Sequence, residues 1–430
     1  MTIKLGVIAD DFTGATDIAS LMVQNGWQVA LLLSIPDDST FIPHDVDAII
    51  ISLKSRSCPV DESIEQSLKA CRWLRQKANC SRLFFKYCST FDSTIKGNIG
   101  PVTDVLMDEL QIDLCLICPA LPINGRTVVY GYLFVNGQLL NESDMQYHPI
   151  NPMKDSNLLR LMEQQSRGTA GLVDINCVRQ GELSIRDRLC QLRCKGIRYA
   201  VVDTLLMDDL LLVAQAAHDM TLITGGSGLG GAIARYCSGG NSEKTSIKKL
   251  PLPRNRRMVI LSGSCSVMTY RQVLEYKKIA STMELDIDKC INNPDYIHLL
   301  VDWIIQQPMK GLAPMLYTTR PPGVLKLTHN QYESFQVSKI IEQLFAQIAN
   351  ELRQKDFNTF IITGGETSGK VVQSLGINQV GIGAIIAHGV PWVYDLQSDC
   401  WLALKSGNFG EVDFFHYAQE IFHELGSNNE

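Results

Sequence analysis

The segment TFIITGGETSGKVV, Thr359–Val372, sets a β-branched and aromatic run against a glycine-rich stretch and then an amphipathic one. The run 359–363 reads as a buried strand, GGETSG as a turn, and KVVQSL as the start of a helix. Strand, glycine turn and helix together make the repeating unit of an α/β sheet. The order is also that of a phosphate-binding P-loop, which needs Gly, four residues, then Gly-Lys-Ser/Thr with the last hydroxyl on Mg²⁺. Gly364, Gly369 and Lys370 comply, but Val371 stands at the hydroxyl position. A standard P-loop is therefore not expected. The backbone logic survives, because glycines at a helix N-terminus expose N–H groups beside the positive end of the dipole, which suits phosphate. Glu366 and Thr367 offer the oxygen ligands that Val371 lacks.

The same alternation extends outward in both directions. LGVIA (5–9), DAIIIS (47–52), RLFFKY (82–87), LCLICPA (114–120), YAVVD (199–203) and TLITGG (221–226) are short apolar runs with room for a helix between them. Amphipathic segments follow several of them, such as 13–26 and 61–78. This pattern predicts α/β architecture with largely parallel sheets, and places functional loops at the carboxyl ends of the strands. A polar stretch with Gly and Pro, SGGNSEKTSIKKLPLPRNRR, interrupts the pattern, and a second series follows through MVILSGSCS (258–266), MLYTTR (315–320), TFIITGGE (359–366) and PWVYDL (391–396). The expected organisation is two α/β domains, 1–240 and 258–430, joined by a linker over 241–257, with the active site in the cleft between them.

At 430 residues, 45% hydrophobic and 20% charged, the chain is long enough for two cores and has no disordered signature. A net charge of −6 with one short basic cluster, PRNRRM, argues against a nucleic-acid partner. The 13 cysteines show no paired metal-ligand spacing; CLIC (Cys115, Cys118) reads as buried thiols, and CQLRC (Cys190, Cys194) points to no common site. Free thiols fit a reducing, cytoplasmic setting. No apolar run reaches the ~20 residues of a membrane span, so no membrane partner is expected.

Candidate chemistry clusters after the first strands. In IADDFTGATD, Asp10 and Asp11 follow a buried run, and Thr13 or Asp17 could cap or line the next helix. Adjacent carboxylates there need a ligand, cation or hydrogen-bond network, and one of them suits the role of base towards a substrate hydroxyl. The bland alternative is that Asp10 caps the helix and Asp11 faces water. KYCSTFDSTIKGNIGP offers Lys86, Ser89, Thr90, Asp92, Ser93, Thr94, Lys96 and Asn98, a density of polar groups that suits a small polyhydroxylated anion. In SLKSRS, Arg56 could clamp a carboxylate with two prongs. Arg126, after Asn124 and Gly125, is a second anion candidate or a surface arginine. Gly226-x-Gly228-x-x-Gly231 is a weak dinucleotide fingerprint, because the linker replaces the strand with an acidic end that should follow; close backbone packing is the favoured reading.

In the second half, LSGSCS (Ser262, Gly263, Ser264, Ser266), GGET (Gly364, Gly365, Glu366, Thr367) and KSGNFG (405–410) are three small-residue loops able to converge on one phosphate chain. His388 is read as structural.

GVIADDFTGATD, STFDSTIKGNIGP, GSCS, GGETSG and KSGNFG, in that order over nearly the whole chain, resemble the four-carbon acid sugar kinase family. ADDFTGATDIAS with CSTFDSTIKGNIGP is most similar to the branch acting on 3-oxo-tetronate. The resemblance implies ATP-dependent phosphorylation of the terminal hydroxyl of a four-carbon sugar acid, with the acid in the N-terminal domain and ATP in the C-terminal one. ATP contacts are implied at Ser262 or Ser264, at Gly364, Gly365, Glu366 and Thr367, and at Gly407, with Glu366 on the Mg²⁺ side. Substrate contacts are implied at Asp10 or Asp11, Arg56, Lys86, Ser89, Asp92, Ser93 and Thr94. Asp11 or Asp10 would deprotonate the hydroxyl. Threonate or erythronate kinases of the same family, and a non-catalytic sensor of a sugar acid or nucleotide, are the alternatives. Homo-oligomerisation is left open.

Overall fold

Apolar runs of the N-terminal half become strands β1 (Leu5–Ala9), β2 (Val29–Leu32), β3 (Ala48–Ser52), β4 (Leu83–Lys86) and β5 (Cys115–Cys118). A hairpin follows, β6 (Arg126–Val129), β7 (Tyr132–Val135) and β8 (Gln138–Leu139), then β9 (Ala170–Val173), β10 (Tyr199–Val202) and β11 (Leu222–Gly225). This is a computed structural model, and it describes residues 3–42, 45–147, 151–239, 257–264, 266–293, 295–308, 311–318, 334–387, 389–405, 407 and 409–427. The chain divides into two compact units, Met1–Ser246 and Ile247–Glu430.

In the first unit the strands lie in the order β2-β3-β1-β4-β11-β5-β10-β9, with every neighbouring pair parallel. Strands of such a sheet are covered on both faces and so read as continuous apolar runs, as β1 and β3 do. The chain leaves β1 for the β2 and β3 side and returns to β4 on the other side, which makes the β1/β4 boundary a switch point. Ligands of α/β sheets bind outside the carboxyl ends of strands at such a point. The register sets Ala9 opposite both Ser52 and Lys86, so the segments after β1, β3 and β4 emerge at one level.

The helix Phe12–Gln24 buries Gly14, Ala15, Ile18, Ala19 and Met22 against this sheet and the helix Ser227–Cys237. Close packing requires the glycine run there: a Cβ on Gly226 would stand 2.4 Å from Pro119 O, and one on Gly230 2.4 Å from Ile18 Cδ1. The dinucleotide fingerprint is thus backbone packing. Asp203, after β10, accepts the N–H groups of Tyr130, Gly131 and Ile175 at 2.6, 2.8 and 3.0 Å and so fixes the β6–β7 turn. Burial raises its carboxyl to about 6.

The second unit holds β12 (Arg257–Ser262), β13 (Thr282–Glu284), β14 (Met315–Tyr317), β15 (Phe357–Thr363), β16 (Gln379–Ala387), β17 (Val390–Asp395) and β18 (Trp401–Lys405). Their order is β13-β14-β12-β15-β18-β17-β16, parallel except that β17 runs antiparallel to both neighbours. PWVYDL therefore runs against its neighbours and does not extend the parallel series. Trp392, Trp401 and Phe422 pack edge-to-face and tilted here, and Trp392 Nε1 donates to Ala418 O at 3.0 Å, holding the helix Phe414–Ser427 onto β17 and β18. The expected linker, 241–257, lies outside the described residues except Arg257, which opens β12, and His388 lies outside them too.

The described cysteines are free thiols. Burial pushes Cys115 to about 12 and Cys118 to about 11, whereas Cys190, Cys194 and Cys237 are exposed. Among the described residues no helix is long and apolar enough to cross a membrane.

Candidate active site

Asp10 leaves the end of β1 and is buried. Its carboxylate accepts Arg56 Nε at 2.9 Å and Arg56 Nη2 at 2.8 Å, while Arg56 Nη1 reaches Asp11 Oδ2 at 2.8 Å. Backbone bonds hold this fork in place, since Ser55 N and Arg56 N donate to Asp10 O at 2.9 and 3.1 Å. Arg56, expected to clamp a substrate carboxylate, is instead engaged on three of its nitrogens by the two aspartates. Burial pulls its guanidinium down, but Asp10 and then Asp11 overcome this and hold it well above its ordinary value.

Asp11, not Asp10, caps the helix Phe12–Gln24: its Oδ1 accepts Gly14 N at 2.7 Å. Its side chain keeps 28% of its surface exposed. Burial raises its proton affinity above the usual carboxylate range, Asp10 adds to the rise, and Arg56, Lys86 and the Gly14 N–H oppose it. Asp17 does not cap this helix; it accepts the Ser227 hydroxyl and ties two helices together.

Lys86 ends β4 and is 97% removed from solvent, with 3% exposed. No hydrogen bond or ion pair engages its ammonium among the described residues. At Gly14 a Cβ would stand 2.5 Å from Lys86 Nζ and 2.5 Å from Asp11 Oδ1, so cation and carboxylate face the same glycine. The loop beyond divides in two. Ser89 and Thr94 remain half-buried and Asp92 is buried nearby. Ser93, expected at the substrate, is scaffold: its hydroxyl donates to Gln165 Oε1 at 2.6 Å and accepts Ile99 N at 3.3 Å. Asn98 braces the Arg56 loop through Ser55 O at 2.6 Å and Cys58 O at 3.0 Å. Arg126 turns back onto Asn124 O within the hairpin through its Nη1.

In the second unit, β12, β15 and β18 are adjacent and parallel, and register sets Ser262, Thr363 and Lys405 at one level. The loops beyond them converge. A Cβ on Gly263 would stand 2.3 Å from Thr367 Oγ1, one on Gly364 3.3 Å from Ser264 N, and one on Gly407 3.0 Å from Ser264 Oγ. Gly364 has φ 107°, open only to glycine at little cost, and its N–H donates to Lys405 O at 2.9 Å. The helix begins at Gly365, not at Lys370, so Gly369 and Lys370 lie inside it and the P-loop spacing is coincidental. That helix has no side-chain cap, which leaves its first-turn N–H groups for a ligand. Ser262 is fully buried and bonds Thr363 Oγ1 at 2.9 Å, so of the two candidate serines Ser264 is the one among the loops. Lys405 is the last residue of an apolar strand, and the sequence alone gives it no signal apart from the glycine loop that follows. Its ammonium donates to Gly407 O at 2.8 Å.

Glu366 is exposed in the first turn of its helix. Among the described residues no group of three metal-ligating side chains forms. Mg²⁺ keeps several waters and binds through one or two carboxylates plus substrate phosphates, so a single carboxylate beside open helix N–H groups fits it.

Charged side chains gathered at one switch point, and a glycine cradle with open helix N–H groups in a second α/β unit, suit a protein that holds an acid and a nucleotide. Residues 5–233 match a family model described as a sugar-binding N-terminal domain, and residues 259–415 one described as a nucleotide-binding C-terminal domain. The chain belongs to the four-carbon acid sugar kinase family. It is 50% identical over 418 residues to a 3-oxo-tetronate kinase of Haemophilus influenzae, covering 97% of this chain and 100% of the relative. It is 49% identical over 424 residues to one of Brucella melitensis, covering 98% and 97%. A crystal structure of a Salmonella typhimurium protein, 46% identical, matches with a TM-score of 0.90 over 97% of this chain and 99% of that one. A Haemophilus influenzae structure, 49% identical, matches with 0.87 over 97% and 100%.

Proposed function

We propose that the chain is an ATP-dependent kinase that phosphorylates the C4 hydroxyl of 3-oxo-tetronate to give the 4-phosphate, a step in sugar-acid catabolism. The carrying observation is the 50% identity over 97% of the chain to a relative of that activity. Under this reading residues 1–240 hold the acid and residues 258–430 hold ATP. Lys86 is the cation left for the substrate carboxylate, because Arg56 is engaged by Asp10 and Asp11. Ser89, Asp92 and Thr94 offer partners to the substrate oxygens. Asp11, partly exposed and raised in proton affinity, accepts the proton of the C4 hydroxyl as its oxygen attacks the γ-phosphorus. Asp10 is the positioning carboxylate that holds Arg56 and hence Asp11.

On the nucleotide side, the N–H groups of Gly365, Glu366 and Thr367, with Ser264 and Gly407, receive the phosphates. Glu366 would hold Mg²⁺, directly or through water, and the ion would supply neutralisation of phosphate charge. The product is a β-keto acid phosphate, so the class of enzyme that consumes it is a decarboxylase. The deciding experiment is Mg²⁺-dependent ADP release against freshly generated 3-oxo-tetronate, D-threonate, L-threonate, D-erythronate and no acceptor. Turnover confined to the 3-oxo acid is expected. Turnover on a threonate or erythronate alone would replace the substrate, and ADP release with none of them would sink the kinase reading.

A further inference from the structure

Lys405 closes β18 and is wholly buried. Its ammonium donates to Gly407 O at 2.8 Å and to Thr269 Oγ1 at 3.1 Å. The same Gly407 carbonyl also receives the hydroxyls of Ser266 at 2.6 Å and Thr269 at 2.8 Å. Ser266 in turn caps the helix Val267–Tyr276 by accepting Thr269 N at 3.1 Å. Through its own backbone carbonyl Lys405 takes the Gly364 N–H at 2.9 Å. One residue thus joins the ends of all three converging loops.

A neutral side chain could make comparable bonds without the desolvation cost of a buried ammonium. Here burial draws the group down to about 7. An arriving anion reverses that trend, because an opposite charge nearby favours the protonated form. The aromatic face of Phe414 lies 5.6 Å from the ammonium and the helix Phe414–Ser427 is anchored by the tryptophan cluster, so the lysine sits on a rigid bed.

We infer that Lys405 is a positioning residue for nucleotide phosphates: it fixes the Gly407 loop against its neighbours and sets a positive charge beneath the three loops. This rests on the assignment of the second unit to ATP. A charge acts on phosphates and not on adenosine, so its removal must weaken ligands in proportion to their phosphate number.

The test is calorimetry on the full chain with the non-hydrolysable triphosphate AMP-PNP, ADP, AMP and adenosine, for wild type, Lys405→Met and Lys405→Arg, with thermal unfolding as a folding control. Loss of a charge-assisted contact predicts about 10-fold or greater weakening of AMP-PNP and ADP in Lys405→Met, less for AMP, and about no change for adenosine. Lys405→Arg should recover part of the loss, and KM for the sugar acid should stay at its wild-type value. Equal weakening of all four ligands, or none, overturns the inference. Should Lys405→Met not fold, Lys405→Gln, which removes the charge but keeps a donor for Gly407 O, decides by the same criterion, with a graded loss of about 10-fold for AMP-PNP and ADP expected. Wild type that binds neither ADP nor AMP-PNP overturns the ATP assignment itself, a result distinct from a wild type that binds and a Lys405→Met that binds as well.

Discussion

Arg56 stands between two carboxylates whose removal has different consequences. Arg56→Ala leaves Asp10 buried without its counter-charge, which predicts a loss of about 3–5 kcal/mol in urea unfolding. Asp11→Asn is the contrasting change. It keeps an oxygen for the Gly14 N–H, so stability should move by less than about 1 kcal/mol. The base is gone, however, and kcat should fall by about 10²–10⁴ with little change in KM for ATP; unchanged turnover would remove Asp11 from the role. Lys405 carries a pH signature of its own. Its folded value of about 7 lies below the ordinary 10.5, so between those limits the unfolded chain holds the extra proton. Stability owed to this residue therefore rises with pH across that window, by up to about 1.4 kcal/mol per unit, and the penalty is complete only below it. Wild type should gain about 2 kcal/mol on Lys405→Met between pH 7 and pH 9, read as the difference of their urea unfolding free energies.

At the scale of elements, the turn into the helix Gly365–Ser374 is decided by one backbone angle. Gly364→Ala meets φ 107° and a Cβ 3.2 Å from Thr367 Oγ1, which predicts about 1–3 kcal/mol of destabilisation and weaker ADP binding with the sugar acid unaffected. Strands of five or more buried apolar residues, such as β1, β3 and β15, were legible in the sequence, and so were the polar residues just past their ends. Of the four-residue strands, β4, β5, β10 and β11 were legible as well, whereas β2 and β9 were not; in β9, Ala170 and Gly171 carry little strand propensity. Nor was the antiparallel course of β17: a strand covered on both faces carries the same apolar signature in either direction. The helix starts at Gly365 and not at Lys370 because the three-loop contact overrides propensity, glycine and serine being poor helix formers. Pairing across long sequence separation was hidden altogether. Arg56 and Asp10 are 46 residues apart, and only the register of β1 with β3 brings them together.

For the whole molecule, the proposed division gives each of the two units its own strand ends and its own ligand. A ligand stabilises what it binds by about 2.7 kcal/mol at 100 times its Kd. Hydrogen exchange should therefore show added protection in Met1–Ser246 with the sugar acid alone and in Ile247–Glu430 with ADP alone. Protection of both units by either single ligand would contradict this division of labour. The arrangement of thiols gives a practical handle on the same question. Alkylation needs thiolate and access, and the thiols of Cys71, Cys80, Cys115, Cys118 and Cys400 are buried and raised. The exposed ones among the described residues, Cys190, Cys194 and Cys237, all belong to the first unit. A maleimide dye applied briefly to the native protein would thus mark these surface positions of the first unit and spare the buried thiols, with no engineered cysteine.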